Sequence, residues 1–382
     1  MMDIHDKLRL IGAAKDRVLA GPRKVVFLLT NTCNFKCVYC WHHSPLLKTS
    51  PPYVRKKTEL PFDAVKKVID DCRHLNVRHI QLAARGETTL YSRFTELVDY
   101  ICRKGLTVTL LTNGAFERSL LGTLLKIDAI DINLSTLNPE HFKMLQSRSS
   151  ADMLETVQTN IRLVLNSRKR RGGAPKLTIV YVLTSQNYLE LPEIFAWAYR
   201  TGIDYLSIKK MICDELELQL ALNRPQEKKI HDMLSALSRT ELFKKVRSNV
   251  LDSYNASGEF FETPPPPACY SAWYYSFITL KGNVTPCALI PDHLVAGNIL
   301  KKSYKDIWSS GKFMKIRLAG KYGLFGHRYK ACRQCLHHQF NLSMHNNIRL
   351  LNETRVSEAS GKKSSAQKNG HRPPWQNCLV NG

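Results

Sequence analysis

Three cysteines crowd into one short stretch, Cys33-Asn34-Phe35-Lys36-Cys37-Val38-Tyr39-Cys40, and four more stand at Cys269, Cys287, Cys332 and Cys335. Thiolates are soft ligands, so clustered cysteines read first as metal ligands. The ligand number then decides the chemistry. A [4Fe–4S] cube has four irons, and three protein thiolates leave one iron open to a small chelating ligand that carries an amine and a carboxylate. A structural zinc wants four ligands and commonly shows an isolated Cys-x2-Cys knuckle, so the first set favours the cube. The second set, with its Cys-x2-Cys pair at Cys332 and Cys335, suits a zinc ribbon and an iron–sulfur cluster equally well on spacing alone. Cys72, Cys102 and Cys213 read as small buried hydrophobes, and Cys378 as a free thiol.

The elements that must position these thiols follow from apolar patterning. Between residues 24 and 211, β-branched apolar runs alternate with longer amphipathic stretches, the pattern of βα units around a parallel sheet. Strands are expected at 24–30, 77–83, 106–112, 129–135, 177–183 and 205–209, with helices at 61–75, 94–104, 151–168 and 189–201. Leu60-Pro61-Phe62-Asp63 and Leu191-Pro192-Glu193 open two of these helices, because proline and an early acidic residue suit a first turn. Six such units predict an open, partial (β/α)6 TIM-type barrel, whose ligands would sit at the carboxyl ends of the strands. The Cys33 loop directly follows the first of them. A helical stretch at 224–254 then runs into four consecutive prolines, 264–267, which act as a stiff linker. Beyond it a hairpin is expected at 274–280 and 284–289 around Lys281-Gly282-Asn283, then a helix at 304–318. The resulting division is an N-terminal helical extension (1–23), the barrel (24–222), a helical connector and Pro-rich linker (223–267), a small cysteine-bearing domain (268–340), and a polar, basic tail (341–382) read as disordered.

The x3 then x2 spacing, with aromatic Tyr39 just before the last cysteine, resembles the radical S-adenosylmethionine (SAM) superfamily. That resemblance implies reductive cleavage of SAM at the open iron to a 5′-deoxyadenosyl radical that abstracts hydrogen from substrate. It implies that Tyr39 lies against the adenine and that Gly86 and Glu87 receive the SAM amino group. The stretch Ala84-Arg85-Gly86-Glu87-Thr88 departs from the family's Gly-Gly-Glu-Pro, with Arg85 for the first glycine and Thr88 for the proline. Thr112-Asn113-Gly114 and Asn133-Leu134-Ser135 resemble the loops near the methionine and ribose of SAM, Ser135 being the ribose candidate. The second cysteine set, with Gly282, Gly297-Asn298-Ile299 and Asp306-Ile307-Trp308, resembles the twitch form of the SPASM extension. This implies one auxiliary [4Fe–4S] cluster ligated by four cysteines and suited to electron transfer.

An electron acceptor near a substrate radical favours oxidation. The reading is therefore a dehydrogenation of an alcohol carbon in a small sugar or aminocyclitol-like metabolite, as in the twitch-bearing aminocyclitol dehydrogenases that the arrangement resembles. Lys209, Arg85 and His42 are the positional candidates for catalytic residues. The rival is a peptide- or protein-modifying maturase that oxidises, cross-links or epimerises a side chain. Two features weigh against it: few residues precede the first strand, too few for a recognition domain, and Ala288 follows Cys287 where sulfatase-maturing relatives place an acidic base. The net charge of +24 invites nucleic acid, but the basic residues are scattered with no recognition motif, so an RNA-modifying enzyme ranks lower. A small-molecule substrate and a flavodoxin or ferredoxin-type electron donor are the expected partners. No apolar run is long enough for a membrane helix, and the expected compartment is the cytoplasm.

Overall fold

The computed structural model describes residues 3–47, 56–147, 152–169, 172–211, 220–250, 266–289, 293–329, 331–332, 335 and 337–359. Six strands occur where the apolar runs lie: β1 Lys24–Leu28, β2 His79–Ala83, β3 Thr107–Thr112, β4 Ala129–Asn133, β5 Lys176–Leu183 and β6 Tyr205–Lys210. They hydrogen-bond in the order β6-β5-β4-β3-β2-β1, and the pairs from β2 to β6 are parallel. Helices Phe62–His74, Phe94–Arg103, Asp152–Arg168 and Leu191–Thr201 fall between strands, giving the mixed α/β architecture with a parallel sheet. Alternation along the strands sorts the side chains into two faces. Ile130, Ile132, Leu177, Ile179, Tyr181, Leu206 and Ile208 are fully buried. Between them Asp131, Asn133, Thr178, Val180, Ser207 and Lys209 stay partly or fully accessible. Strand carboxyl ends come into register through pairs such as Asn133 with Val180 and Val182 with Lys209.

The chain divides into two compact units. The barrel unit comprises Phe27–Phe62 and His79–Glu262, the accessory unit Met1–Val26, Asp63–Arg78 and Thr263–Gly382. This differs from the contiguous division read in the sequence, and the reason is tertiary. In the accessory unit the Asp71 carboxylate accepts the Tyr304 N–H (2.8 Å) and the Ala20 carbonyl accepts the Trp308 indole N–H (3.1 Å). Its hairpin is β7 Tyr275–Ile278 with β8 Asn283–Thr285, followed by β9 Gly297–Asn298. Gly282 makes the turn with φ +78°, a conformation that a side chain would strain.

Three expectations need correction. The helix expected at 304–318 is two helices, Tyr304–Trp308 and Gly311–Lys321, because the Ser310 hydroxyl accepts the Phe313 N–H (3.1 Å) and starts a new one. The stretch at 224–254 is likewise split into Arg224–Ser238 and Glu241–Lys245, the second capped by Thr240, and residues 251–254 lie outside the described residues. The largest correction concerns the tail. Residues 338–359 form a helix, whose Met344 and Ile348 pack with Leu10, Ala13, Tyr270 and Tyr274 in one apolar cluster. Weak amphipathicity hid this helix from a reading based on period. Residues 360–382, the first two prolines of the linker and Cys213 and Cys378 lie outside the described residues. Among the described residues, no helix is long and apolar enough to cross a membrane.

Candidate functional site

Beyond their last strand residues, β1 and β2 continue side by side. Leu29 N–H donates to Ala83 O (2.9 Å), Arg85 N–H to Thr30 O (2.9 Å) and Glu87 N–H to Thr32 O (2.8 Å). The loop at 84–88 is thereby laid against the entry to the cysteine loop. Gly86 sits at the closest approach: a Cβ there would lie 2.1 Å from Thr32 O, so only glycine fits. Cys33 Sγ accepts the Phe35 N–H, and Cys40 Sγ accepts those of His42 and His43, each at 3.4 Å. Cys37 donates its S–H to Gln146 O (3.3 Å). Burial pushes the Cys33 thiol up to about 12, with Glu87 and Cys40 adding repulsion against the Phe35 N–H. Burial also holds Cys37 well above its usual range, reinforced by Cys40 and then Cys33. Such mutual repulsion marks three sulfurs gathered in one place.

The donor chemistry fits the implied cluster. These are three neutral thiols, two of them already accepting N–H bonds that would stabilise thiolates, and binding iron would displace their protons. Among the described residues, no three His, Cys, Asp or Glu side chains converge as ligands of a single ion.

Around this loop the expected SAM contacts form two internal networks. Glu87, 2% exposed, accepts Thr89 N–H (3.0 Å), Thr89 O–H (2.8 Å) and Thr112 O–H (2.7 Å) on one oxygen and Asn113 N–H (2.7 Å) on the other. A carboxylate offers about four acceptor positions, so Glu87 acts within the protein as the pin between the loops after β2 and β3. Asn113 in turn donates to Asn34 Oδ1 (2.7 Å), and Asn34 to Ala115 O (3.2 Å), which anchors the cysteine loop itself. In the second network, Tyr39 Oη meets Ser135 Oγ (3.0 Å) and Asn133 Oδ1 (3.2 Å). Ser135, fully buried, also accepts Val182 N–H (3.1 Å), and its own N–H donates to Gln146 Oε1 (2.7 Å). The structure therefore places Ser135 behind Tyr39, with its hydroxyl occupied.

Of the three catalytic candidates, two meet. Arg85 Nη1 approaches His42 Nε2 at 3.5 Å, and His43 Nε2 lies 3.0 Å from Arg85 O. Burial, then the charges of Arg85 and His43, lower the pKa of His42 to about 3, so it is neutral near pH 7 and a poor proton donor. Lys209 stands apart, at the end of β6. Its side chain is solvent-accessible. Crowding lowers its pKa, while Asp131 on β4 pulls it back up.

The accessory unit holds the second set. Cys287 is pushed up to about 12 by burial and then by Cys269, Cys335 and Cys332, so all four thiols lie within electrostatic reach. A small open pocket, with room of about 30 Å³, is lined by Cys269, Cys332 and Cys335, with Gly320, Phe325 and Asn341 among its other walls. A Cβ on Gly320 would fall 2.8 Å from Cys269 O. Three soft donors line this space and Cys287 lies within electrostatic reach of them, a set of four that fits an iron–sulfur cluster. Cys72 is fully buried and Cys102 bonds Lys126 O (3.6 Å), so neither joins a ligand set.

Three residues of these sites carry no sequence signal strong enough to single them out: Gln146, Asn341 and Asp131. Asn34 does have one, a polar residue inside the cysteine loop, which the reading passed over.

Comparison with known proteins adds an independent line. Residues 27–198 match the profile of the radical SAM superfamily, and residues 269–336 that of an iron–sulfur cluster-binding domain, SPASM. The mycofactocin maturase MftC of Mycolicibacterium smegmatis is 27% identical over 83% of this chain and 79% of its own length. The antilisterial bacteriocin subtilosin biosynthesis protein AlbA of Bacillus subtilis is 23% identical over 77% of this chain and 61% of its own. The crystal structure of Streptococcus suis SuiB bound to precursor peptide SuiA superposes with a TM-score of 0.59 at 17% identity, covering 81% of this chain and 70% of that one. These neighbours overturn the expectation of a small-molecule substrate, since they are maturation and biosynthesis proteins and one is seen holding a peptide.

Proposed function

We propose that this chain, a radical SAM enzyme with a C-terminal SPASM domain, modifies a side chain of a peptide or protein by oxidation, cross-linking or epimerisation. The observation that carries the reading is its similarity to a maturase over 83% of its length. The sheet supports it: Asp131, Asn133, Thr178 and Ser207 form a polar, accessible face, which suits a hydrogen-bonding peptide backbone.

When bound, the first cluster supplies the electron that cleaves SAM reductively, and the auxiliary cluster offers a place for an electron released by substrate. Cys33, Cys37 and Cys40 hold the first, and Cys269, Cys287, Cys332 and Cys335 the second. The backbone at the tight passage of Gly86 would receive the SAM amino group, and Glu87 fixes Thr112 and Asn113 in the neighbouring loop. Tyr39 is held in orientation for the adenine by Ser135. The Arg85 guanidinium lies beside a neutral His42, a setting in which it can hold an anionic group. Lys209, whose pKa burial lowers, serves in this reading as the candidate base toward substrate. Cysteines kept as ligands rather than disulfides suit a reducing, cytoplasmic setting.

The test is anaerobic incubation of iron-reconstituted, dithionite-reduced enzyme with SAM and a library of synthetic peptides. The expected result is 5′-deoxyadenosine release above the peptide-free rate, with deuterium carried into it from a labelled peptide residue. Release stimulated only by sugars or cyclitols, with every peptide returned unchanged, defeats the proposal.

A further inference from the structure

The helix His338–Ala359 begins three residues after Cys335, and its fourth residue, Asn341, is fully buried against the auxiliary cysteines. Its carboxamide has a fixed orientation. Tyr270 N–H, directly after Cys269, can only donate, and it points at Asn341 Oδ1 at 2.7 Å. The amide nitrogen must therefore face the other way, where it lies 3.7 Å from Cys335 Sγ and lines the cavity shared with Cys269 and Cys332. Other donors to this set are local: Leu289 N–H to Cys287 at 3.4 Å, for example. Asn341 alone among these brings in a separate helix.

We propose that Asn341 is a positioning residue that tunes the auxiliary cluster, donating a hydrogen bond to the sulfur of Cys335 and raising the cluster's reduction potential. The physics is general. A donor to a cluster thiolate stabilises the reduced state, which carries more negative charge, more than the oxidised one. An amide does this without titrating, so the effect holds across pH. The inference concerns the cluster's electronics and stands whichever substrate class is correct.

The experiment uses the full chain with Cys33, Cys37 and Cys40 replaced by Ala, so that only the auxiliary cluster remains, and follows its reduction by EPR-monitored titration. Asn341→Asp keeps the acceptor for Tyr270 N–H and removes the donor; Asn341→Leu removes both. Each is expected to retain about four irons and to shift the midpoint to more negative potential. His345→Ala serves as control. It removes a contact of the same helix to Tyr270 Oη (3.2 Å) without touching the cysteines and is expected to leave the midpoint in place. An unchanged midpoint in both iron-replete Asn341 variants overturns the proposal. So does loss of the cluster from both, which would make the residue structural, or an equal shift in the control.

Discussion

The two cysteine sets gather soft ligands in opposite ways. Cys33, Cys37 and Cys40 share one loop, and backbone N–H groups of that same loop orient Cys33 and Cys40. Cys269, Cys287, Cys332 and Cys335 come from three separated segments that only the fold of the accessory unit brings together. In the proposed reading, the first set stops at three thiols and would leave coordination open for a chelating cosubstrate. The second closes on itself with four. An open set is suited to bond-making chemistry and a closed one to passing electrons.

The largest expected effect comes from removing one ligand from each. Cys37→Ala is expected to bring 5′-deoxyadenosine formation to background and lower iron from about eight to about four per chain. Cys287→Ala is expected to lose a similar amount of iron yet keep SAM cleavage, failing instead to complete the oxidation of substrate. Iron analysis and chromatography of 5′-deoxyadenosine read both. If the two variants lost SAM cleavage equally, the distinction between an open and a closed set would collapse.

That contrast also explains what was legible in the sequence. A motif confined to one loop, such as Cys33 to Cys40, carries its geometry in its spacing. The strands were legible for a similar reason: burial on alternate residues leaves a period of two, as in Ile130 and Ile132. Asn341 and Gln146 left no such trace. Gln146 O receives Cys37 from 109 positions away, and Tyr270 is 71 positions from Asn341. Nothing local distinguishes them from surface amides. The helix at 338–359 was missed because it packs by a few residues, Met344 and Ile348, on a mostly polar sequence. The substrate class was misread because the absence of a recognised motif was given the weight of evidence.

A smaller effect should separate the two glycines that admit backbone to each cysteine set. Gly86→Ala places a methyl 2.1 Å from Thr32 O and 2.5 Å from Thr32 C, backbone on both counts. Gly320→Ala meets Cys269 O at 2.8 Å and a movable ring atom of Phe325 at 3.0 Å. Overpacking of this kind costs about 1–3 kcal/mol, and Gly86→Ala belongs at the upper end because neither contact can swing away. Urea unfolding measures the difference. Gly86→Ala is further expected to weaken SAM binding with the auxiliary iron retained, and Gly320→Ala to lose auxiliary iron with SAM binding retained. The reverse pattern would sever these glycines from their assigned sites.

The smallest effect is a difference in proton affinity within the iron-free protein. Burial, then repulsion from Cys269, pushes Cys332 up to about 11, whereas the more enclosed Cys33 is pushed up to about 12. An unfolded thiol titrates near 9, as the ordinary value for both groups. Since the folded values are raised, the native state keeps protons that the unfolded chain gives up. Their stabilising contribution is therefore complete below about pH 9 and is lost as pH rises, first through the range of Cys332 and then through that of Cys33. Ultraviolet thiolate absorbance of the wild type, compared with Cys332→Ser and Cys33→Ser, assigns the two steps. Cys332 is expected to ionise first. The opposite order would mean that the loop meant to stay open to a cosubstrate is also the one less shielded in the empty protein, and enclosure of the first set would no longer follow from its packing.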